Sequence, residues 1–306
     1  MRLIFLSLLF IFVVLIALSA GPTGWQWPWM DLVLELRAPR VVLALLIGGS
    51  LALAGVAMQA LLQNELADPY VLGLSGGASA GAVASLALWP GLPPGPAAAL
   101  GAAGAAMLVR GIARGPFDST RLLLGGIAVG SVLSSVTGLI VTLAPSFYLL
   151  RSTTFWLFGG VGTPQWTTLI VPSVVLLISA FTMLRQAERF DRLTLGDDLA
   201  VSLGVELTSF RRYILLSSVL LTACAVAAGG LVGFVGLIAP HAARRMVGAT
   251  HRRMIPVAGV CGALLVLAAD TVARTAFAPK EVPLGLLTAA VGGPFFLWLL
   301  RRGVRR

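Results

Sequence analysis

Two side chains have the types needed for covalent chemistry, a serine and a histidine that lie far apart in the sequence. Ser75 lies between Gly73 and Gly76, and His241 follows Pro240. A serine hydroxyl becomes a nucleophile when a base such as histidine lies within hydrogen-bond distance, so this pair is a candidate hydrolytic centre. The same serine lies in a run of Gly, Ala and Ser residues, which favours tight helix packing. We therefore expect Ser75 to serve in packing and keep hydrolysis as an alternative.

Acidic residues within the apolar segments form no second catalytic arrangement. Asp270 is the single deep acid, and Arg274 follows at i+4, where the two can form a structural ion pair on one helix face. No paired carboxylates mark a proton relay. The phosphate-binding loop G-x-x-x-x-G-K-[ST] is also missing, since the only lysine is Lys280. The sequence therefore predicts no catalytic residue, no metal ligand and no cofactor bound by this chain.

The elements that hold these residues follow from the composition. Hydrophobic residues make up 58% of the chain and charged residues 11%, with a mean hydropathy of +0.95. Such a chain is too apolar for an ordinary soluble domain, which predicts an all-α, polytopic membrane protein. At roughly 20 residues per span, the 306 residues have room for about ten transmembrane helices. The predicted spans are residues 3–20, 41–62, 71–88, 97–112, 122–143, 166–184, 213–228, 231–247, 254–277 and 283–300.

The distribution of positive charge predicts the orientation of the chain. If ten spans alternate from a cytoplasmic N-terminus, only five of the 22 Lys and Arg residues lie on the outer side. These five are Arg37, Arg40, Arg151, Arg274 and Lys280. The asymmetry obeys the positive-inside rule and predicts that both termini are cytoplasmic. Orientation in the membrane also explains the net charge of +10, so we expect no nucleic-acid partner.

Residues 188–212 form the one long hydrophilic interruption of the chain, and the predicted topology places them in the cytoplasm. A glycine precedes two acids there, and leucines recur every four residues until a second glycine. This pattern is typical of a short amphipathic helix, which suits docking into a groove of a partner. The alternative, a helix that lies on lipid, is disfavoured by the acids. The predicted contact residues are Leu195, Gly196, Asp197, Asp198, Leu199, Ser202, Leu203 and Gly204.

Four stretches of the sequence, in this order, resemble the FecCD-type permeases, the membrane subunits of type II ABC importers for iron chelates, haem and vitamin B12. They are Arg37-Ala-Pro-Arg40 with Gly55-Val-Ala-Met-Gln59; Asn64-Glu-Leu-Ala-Asp-Pro69 with Leu72-Gly-Leu-Ser-Gly-Gly77; Leu195-Gly-Asp-Asp198 with Ser202-Leu-Gly204; and Gly233-Phe-Val-Gly-Leu-Ile-Ala-Pro-His241. The last stretch continues through His251-Arg-Arg253, Ala269-Asp-Thr-Val-Ala-Arg274 and Gly292-Gly-Pro-Phe-Phe296. The resemblance therefore extends from Arg37 almost to the C-terminus.

The resemblance implies a fold, a function and a set of partners. The chain would form one transmembrane permease domain over residues 1–306, with ten helices and a cytoplasmic coupling segment at about 188–212. Two copies would form a homodimer in the bacterial inner membrane, with two cytoplasmic ATPase subunits and a periplasmic binding protein. The cargo would be a metal chelate, with a ferric siderophore favoured over haem and cobalamin. The chain would not be an enzyme, because ATP and Mg²⁺ would bind only to the partner ATPase.

The resemblance also assigns roles to particular residues. The helix between Gly196 and Gly204 is similar to the family's coupling helix, which docks into a cleft of the ATPase. The outer arginines match residues that face acidic groups of the binding protein; they are Arg37, Arg40 and Arg274. The cytoplasmic gate would lie at the entrance to the fifth helix, at Ser119, Thr120 and Arg121.

Two rival functions remain from the residues themselves. Ser75 and His241 would serve an intramembrane serine protease of the rhomboid type, although ten spans exceed the number usual in that fold. An ion-coupled secondary transporter is disfavoured by the lack of buried carboxylate pairs. Cleavage of a peptide would support the first rival, and transport driven by an ion gradient without ATP would support the second.

Overall fold

The structure is a computed structural model that describes residues 2–21, 24–25, 33–89, 91–113, 115, 117–143, 147–278 and 280–303. Within these residues the fold is built from 13 α-helices, and the two strands, β1 (Ala20–Gly21) and β2 (Gly24–Trp25), form a single short antiparallel pair. The helices are α1 (Arg2–Ser19), α2 (Ala38–Leu61), α3 (Leu74–Leu88), α4 (Pro94–Ile112), α5 (Ser119–Leu143), α6 (Phe147–Phe158), α7 (Ile170–Arg185), α8 (Ala187–Leu193), α9 (Asp197–Ser202), α10 (Leu207–Gly229), α11 (Val235–Val247), α12 (His251–Thr275) and α13 (Leu284–Gly303).

Each of the ten predicted spans overlaps one of these helices, which confirms the all-α class. In the described part of the chain, seven helical segments are long and apolar enough to cross a membrane. The apolar parts of α1 and α3 are shorter. The count of ten spans therefore stays a prediction. The seven segments are Val33–Leu61, Pro94–Ile112, Ser119–Leu143, Trp166–Arg185, Leu207–Gly229, His251–Thr275 and Leu284–Arg301.

The predicted span at residues 231–247 begins four residues before the helix does. The helix α11 begins only at Val235, after Phe234 with a φ of 66° and Gly230 with a φ of 66°. Two residues with left-handed φ so close together interrupt the helical path between α10 and α11. With 13 residues, α11 is about 20 Å long, which is less than the roughly 30 Å of the hydrocarbon core.

The helix α6 was not predicted. It ends at a turn in which Gly159 has a φ of 70°, and three distant backbone groups hold this turn. The Leu231 amide donates to the Trp156 carbonyl at 3.3 Å, and the Leu284 amide donates to the Gly159 carbonyl at 3.0 Å. The Gly160 amide donates to the Gly229 carbonyl at 2.9 Å. Contacts this far apart in sequence leave no local pattern by which α6 could have been placed.

The helix α2 lies at the centre of the fold and packs against α10, α11 and α12. Its glycines allow backbones to touch. A Cβ added at Gly48 would lie 2.2 Å from the Gly262 carbonyl oxygen of α12, and one at Gly55 would lie 2.0 Å from the Gly236 oxygen of α11. Such approach is the usual means by which helices pack where no hydrophobic force drives association.

Candidate functional site

The short helix predicted within the hydrophilic stretch is present as α9. It begins after Gly196, whose φ of 101° and ψ of 162° turn the chain away from α8. It ends in a Schellman motif, in which Gly204 has a φ of 83°. The Gly204 amide donates to the Val201 carbonyl, and the Val205 amide donates to the Ala200 carbonyl, both at 2.9 Å. The two predicted glycines thus bound the helix, because each adopts a backbone conformation that other residues rarely reach.

The segment that contains α8 and α9 has both buried and exposed apolar side chains. Three of its side chains are completely buried; they are Phe190, Leu193 and Ala200. Four other apolar side chains of this segment are between 48% and 57% exposed. We call these four residues the leucine surface; they are Leu195, Leu199, Val201 and Leu203. An exposed apolar group rimmed by charges is typical of a protein interaction site. The leucines belonged to the predicted stripe, whereas Val201 was missed because it lies outside the four-residue spacing.

The two acids at the start of α9 have different surroundings. The Asp197 carboxylate accepts hydrogen bonds from Arg211 Nη2 at 2.5 Å and from Gln63 Nε2 at 3.4 Å. Asp198 is exposed, and no residue in the described part of the chain pairs with it. The sequence treated both acids alike, but in this structure Asp197 is bound through Oδ1, whereas Asp198 has no such partner among the described residues.

The segment is fastened to the helices beneath it. Asp191 Oδ1 accepts from the backbone amide of His251 at 2.9 Å and lies 2.6 Å from its Nδ1, which joins α8 to α12. The ring of Phe190 lies 5.2 Å from that of Phe210 in α10, edge to face, and 5.3 Å from that of His251. Arg192 Nη1 donates to the Leu203 carbonyl at 3.0 Å. These contacts make α8 and α9 one unit with α10 and α12.

The predicted gate residues form the first turn of α5. Asp118 precedes them, and its Oδ1 accepts from the amides of Thr120 at 2.8 Å and Arg121 at 3.3 Å, which caps the helix. Arg121 Nε also lies 3.4 Å from Asp118 Oδ2. Ser119 is half-buried, while Thr120 and Arg121 are exposed. A cavity of about 270 Å³ separates this turn from the start of α10.

Two of the predicted outer arginines are buried and bound within the chain. Arg37 is 7% exposed, and its Nη1 donates to the carbonyls of Leu18 at 3.1 Å and Ser19 at 2.6 Å. Arg274 is 4% exposed and donates to the Ala17 carbonyl. Both side chains therefore hold the end of α1 against α2 and α12, and they present no free surface to a partner in this structure.

Arg40, the third predicted outer arginine, lies between two acids. Its Nη2 is 2.8 Å from Asp270 Oδ1, and it also pairs with Glu281. Arg274 Nε lies farther from the same acid, 3.5 Å from Asp270 Oδ2. The predicted pair of Asp270 and Arg274 is therefore present, but Arg40 is the closer partner. Because Glu281 is 49% exposed, the pair of Arg40 and Glu281 is the part of this cluster nearest to solvent.

The geometry does not support the hydrolytic alternative. No hydrogen bond joins Ser75 to His241 among the described residues. Both ring nitrogens of His241 are buried without a hydrogen-bond partner there, and its ring centroid lies 5.6 Å from that of Phe295. The Ser75 carbonyl accepts a helical hydrogen bond from Ser79 Oγ at 2.8 Å. Within the same described part, no three His, Cys, Asp or Glu residues come together as metal ligands.

Comparison with known proteins gives one consistent family. The model of the FecCD transport family matches residues 3–302. The hemin transport system permease protein HmuU of Yersinia pestis is 38% identical, over 97% of this chain and 95% of its own length. The vitamin B12 import system permease protein BtuC of Vibrio vulnificus is 40% identical, over 89% of this chain and 83% of its own length.

Solved structures show the same architecture. A transporter of the metal-chelate ABC type in an inward-facing conformation superposes with a TM-score of 0.89 and 31% identity, covering 98% of each chain. PsaBC from Streptococcus pneumoniae, in complex with Fab, superposes with a TM-score of 0.63 over 88% of this chain and 91% of its own. Its 17% identity makes it a relative in fold alone. None of these relatives is a protease, so the hydrolytic alternative gains no support here either.

Proposed function

The chain belongs to the FecCD transport family, and we propose that it forms a homodimer that carries a metal chelate inward across the bacterial cytoplasmic membrane. It is the membrane permease of an ABC importer, and a partner subunit hydrolyses the ATP. The cargo we propose is a chelated metal, because two relatives are named for hemin and vitamin B12, both metal complexes of a large ring. Ferric siderophores remain a third candidate class.

The leucine surface is the observation that carries the assignment of α9 to ATPase docking. Four exposed apolar side chains lie on a segment whose charges keep it out of the hydrocarbon. A groove on a partner protein would cover them, as grooves cover the apolar face of other short helices. We propose that the ATPase supplies this groove, with Asp198 at its rim. Ser202, whose hydroxyl donates to the Leu199 carbonyl at 2.8 Å, would lie at the end of the contact.

Movement of the ATPase would reach the membrane through the unit that α8 and α9 form with α10 and α12. Closure of two ATPase subunits on ATP would displace this unit in both copies of the permease. A two-state dimer would then exchange outward for inward access, as interfaces between packed helices permit. The proposed gate at residues 119–121 would open or close in the same step.

Uptake into proteoliposomes tests the proposed function. The permease would be reconstituted with its partner ATPase and binding protein, and haemin, cobalamin and a ferric siderophore would be offered in turn. We expect ATP-dependent uptake of one chelate that persists when an ionophore collapses the ion gradients. Uptake that needs the gradient and not ATP would instead support the ion-coupled transporter. Peptide cleavage that is lost in Ser75→Ala would support the protease.

We propose that the binding protein docks at the corner formed by Arg40 and Glu281. An acidic group of the binding protein would compete with Glu281 for Arg40. Glu281→Gln is therefore expected to raise the affinity for the binding protein by up to about fivefold, since an exposed ion pair is worth about 1 kcal/mol or less. The gain should shrink at high salt.

Binding measured at two ionic strengths checks this prediction. Lys280→Gln is the matched control, because it removes a neighbouring charge of the opposite sign and should not raise the affinity. An affinity that is unchanged or lower in Glu281→Gln would contradict docking at Arg40.

A further inference from the structure

Arg211 lies between the proposed ATPase contact and the proposed gate. Its side chain is 12% exposed. Its Nη2 donates to Asp197 Oδ1 at 2.5 Å, and its guanidinium carbon lies 4.0 Å from the centroid of the Phe117 ring. Asp197 is the first residue of α9, and Phe117 directly precedes Asp118, the cap of α5. One side chain at the start of α10 thus touches both segments.

We infer that Arg211 transmits the displacement of α9 to the first turn of α5 and so links ATP hydrolysis to the gate. This inference rests on the proposed function, since it requires α9 to be the ATPase contact. The role is one of positioning, because Arg211 touches neither cargo nor nucleotide in the proposed mechanism.

The chemistry of the guanidinium suits both contacts at once. One of its nitrogens donates to the carboxylate, while its central carbon lies over the aromatic ring, where the negative face of the ring attracts the charge. Burial strengthens both interactions, because water screens them less than on an open surface. A lysine ammonium would keep the attraction to Asp197 but lack the planar face for Phe117.

The surroundings of Arg211 leave room for movement. The cavity of about 270 Å³ lies beside both contacts, with Phe117 and Asp118 on the side of α5 and Arg211 on the side of α10. Two further arginines, Arg110 and Arg212, also line it, together with apolar side chains; these are Ala113, Leu122, Leu207 and Leu215. A close-packed core resists small displacements, whereas a cavity allows a side chain to shift without a clash. A shift of Asp197 would therefore move the Arg211 guanidinium with it and change the contact between the guanidinium and the Phe117 ring.

A second contact of Asp197 joins α9 to the end of α2. Gln63 Nε2 lies 3.4 Å from Asp197 Oδ1 and donates to the Leu193 carbonyl at 3.0 Å. Gln63 follows α2, which is the central and most buried helix. The contact of Asp197 with Arg211, at 2.5 Å, is shorter than its contact with Gln63. Displacement of α9 should therefore break the contact with Gln63 first and keep the contact with Arg211.

Substitution of Arg211 should separate hydrolysis from transport. Arg211→Gln is expected to keep association with the ATPase and to keep ATP hydrolysis. The amount of chelate imported per ATP hydrolysed should fall about tenfold, because substitutions along coupling routes change coupling by factors of roughly 2 to 30. Arg211→Lys should have a smaller effect, since it keeps the charge. The matched control is Arg252→Gln, which removes an exposed arginine that does not line the cavity and should leave the ratio unchanged.

The measurement is uptake and phosphate release in the same proteoliposomes, with co-purification of the ATPase recorded for each variant. An import ratio in Arg211→Gln equal to that of the unsubstituted chain would overturn the inference, and so would loss of ATPase association. If Arg211→Gln does not fold, Phe117→Leu tests the same link from the gate side and should lower the ratio likewise. Failure of the unsubstituted chain to bind the ATPase or to import would instead refute the proposed function.

Discussion

Leu199→Asp is expected to abolish co-purification of the partner ATPase while the chain still inserts and folds. Leu199 is 55% exposed, so a carboxylate there remains in water in the free permease. Substitutions at such positions change the free energy of unfolding by about 0.5 kcal/mol or less. In the complex the same carboxylate would be buried without a partner in the groove, which costs several kcal/mol or about a thousandfold in affinity.

Two further variants make this test specific to the leucine surface. Leu199→Met keeps an apolar side chain of similar volume and should keep the association. Asp197→Lys with Asp198→Lys should weaken it, and Asp198→Lys alone should account for most of that loss, because Asp197 is already bound by Arg211. Full association of the ATPase with Leu199→Asp would show that the contact lies elsewhere.

Asp270→Asn is expected to destabilise the folded chain strongly. Asp270 is 1% exposed and is the carboxylate that faces both Arg40 and Arg274, the latter 4% exposed. The amide would leave these guanidinium groups in the interior without their counter-charge. Removal of one member of a buried ion pair typically costs about 3–5 kcal/mol. We therefore expect a clear loss of folded protein in detergent and a lower melting temperature.

Thermal unfolding, monitored by size-exclusion chromatography, measures this effect. Glu281→Gln is the control, because Glu281 is 49% exposed and its pair with Arg40 should contribute about 1 kcal/mol or less. Equal melting temperatures for Asp270→Asn and the unsubstituted chain would contradict the structural role of the cluster.

The sequence predicted those features that depend on local pattern. Hydropathy placed a helix at each of the ten spans, because a segment that is apolar over about 20 residues must satisfy its backbone hydrogen bonds internally. Gly196 and Gly204 bounded α9, because glycine favours the left-handed conformations that both residues adopt. The charge between them placed this helix outside the hydrocarbon.

Features that depend on distant contacts could not be predicted in the same way. Burial of Arg37 and Arg274 follows from carbonyl groups at the end of α1, which lie 19 and 257 positions away in sequence. The difference between Asp197 and Asp198 follows from Arg211, and α6 depends on the backbone of residues 229–231 and 284. No periodicity or spacing near these residues indicates these distant partners.

Labelling of a cysteine at position 199 tests most directly the central claim that the ATPase acts on α9. A membrane-impermeant maleimide added from the cytoplasmic side should react with Leu199→Cys in the free permease, and bound ATPase should protect it. Lys280→Cys should react only from the opposite side and equally with or without ATPase. The unsubstituted chain corrects for Cys224, which is buried, and Cys261, which is half-buried. Equal labelling of Leu199→Cys with and without bound ATPase would contradict the account.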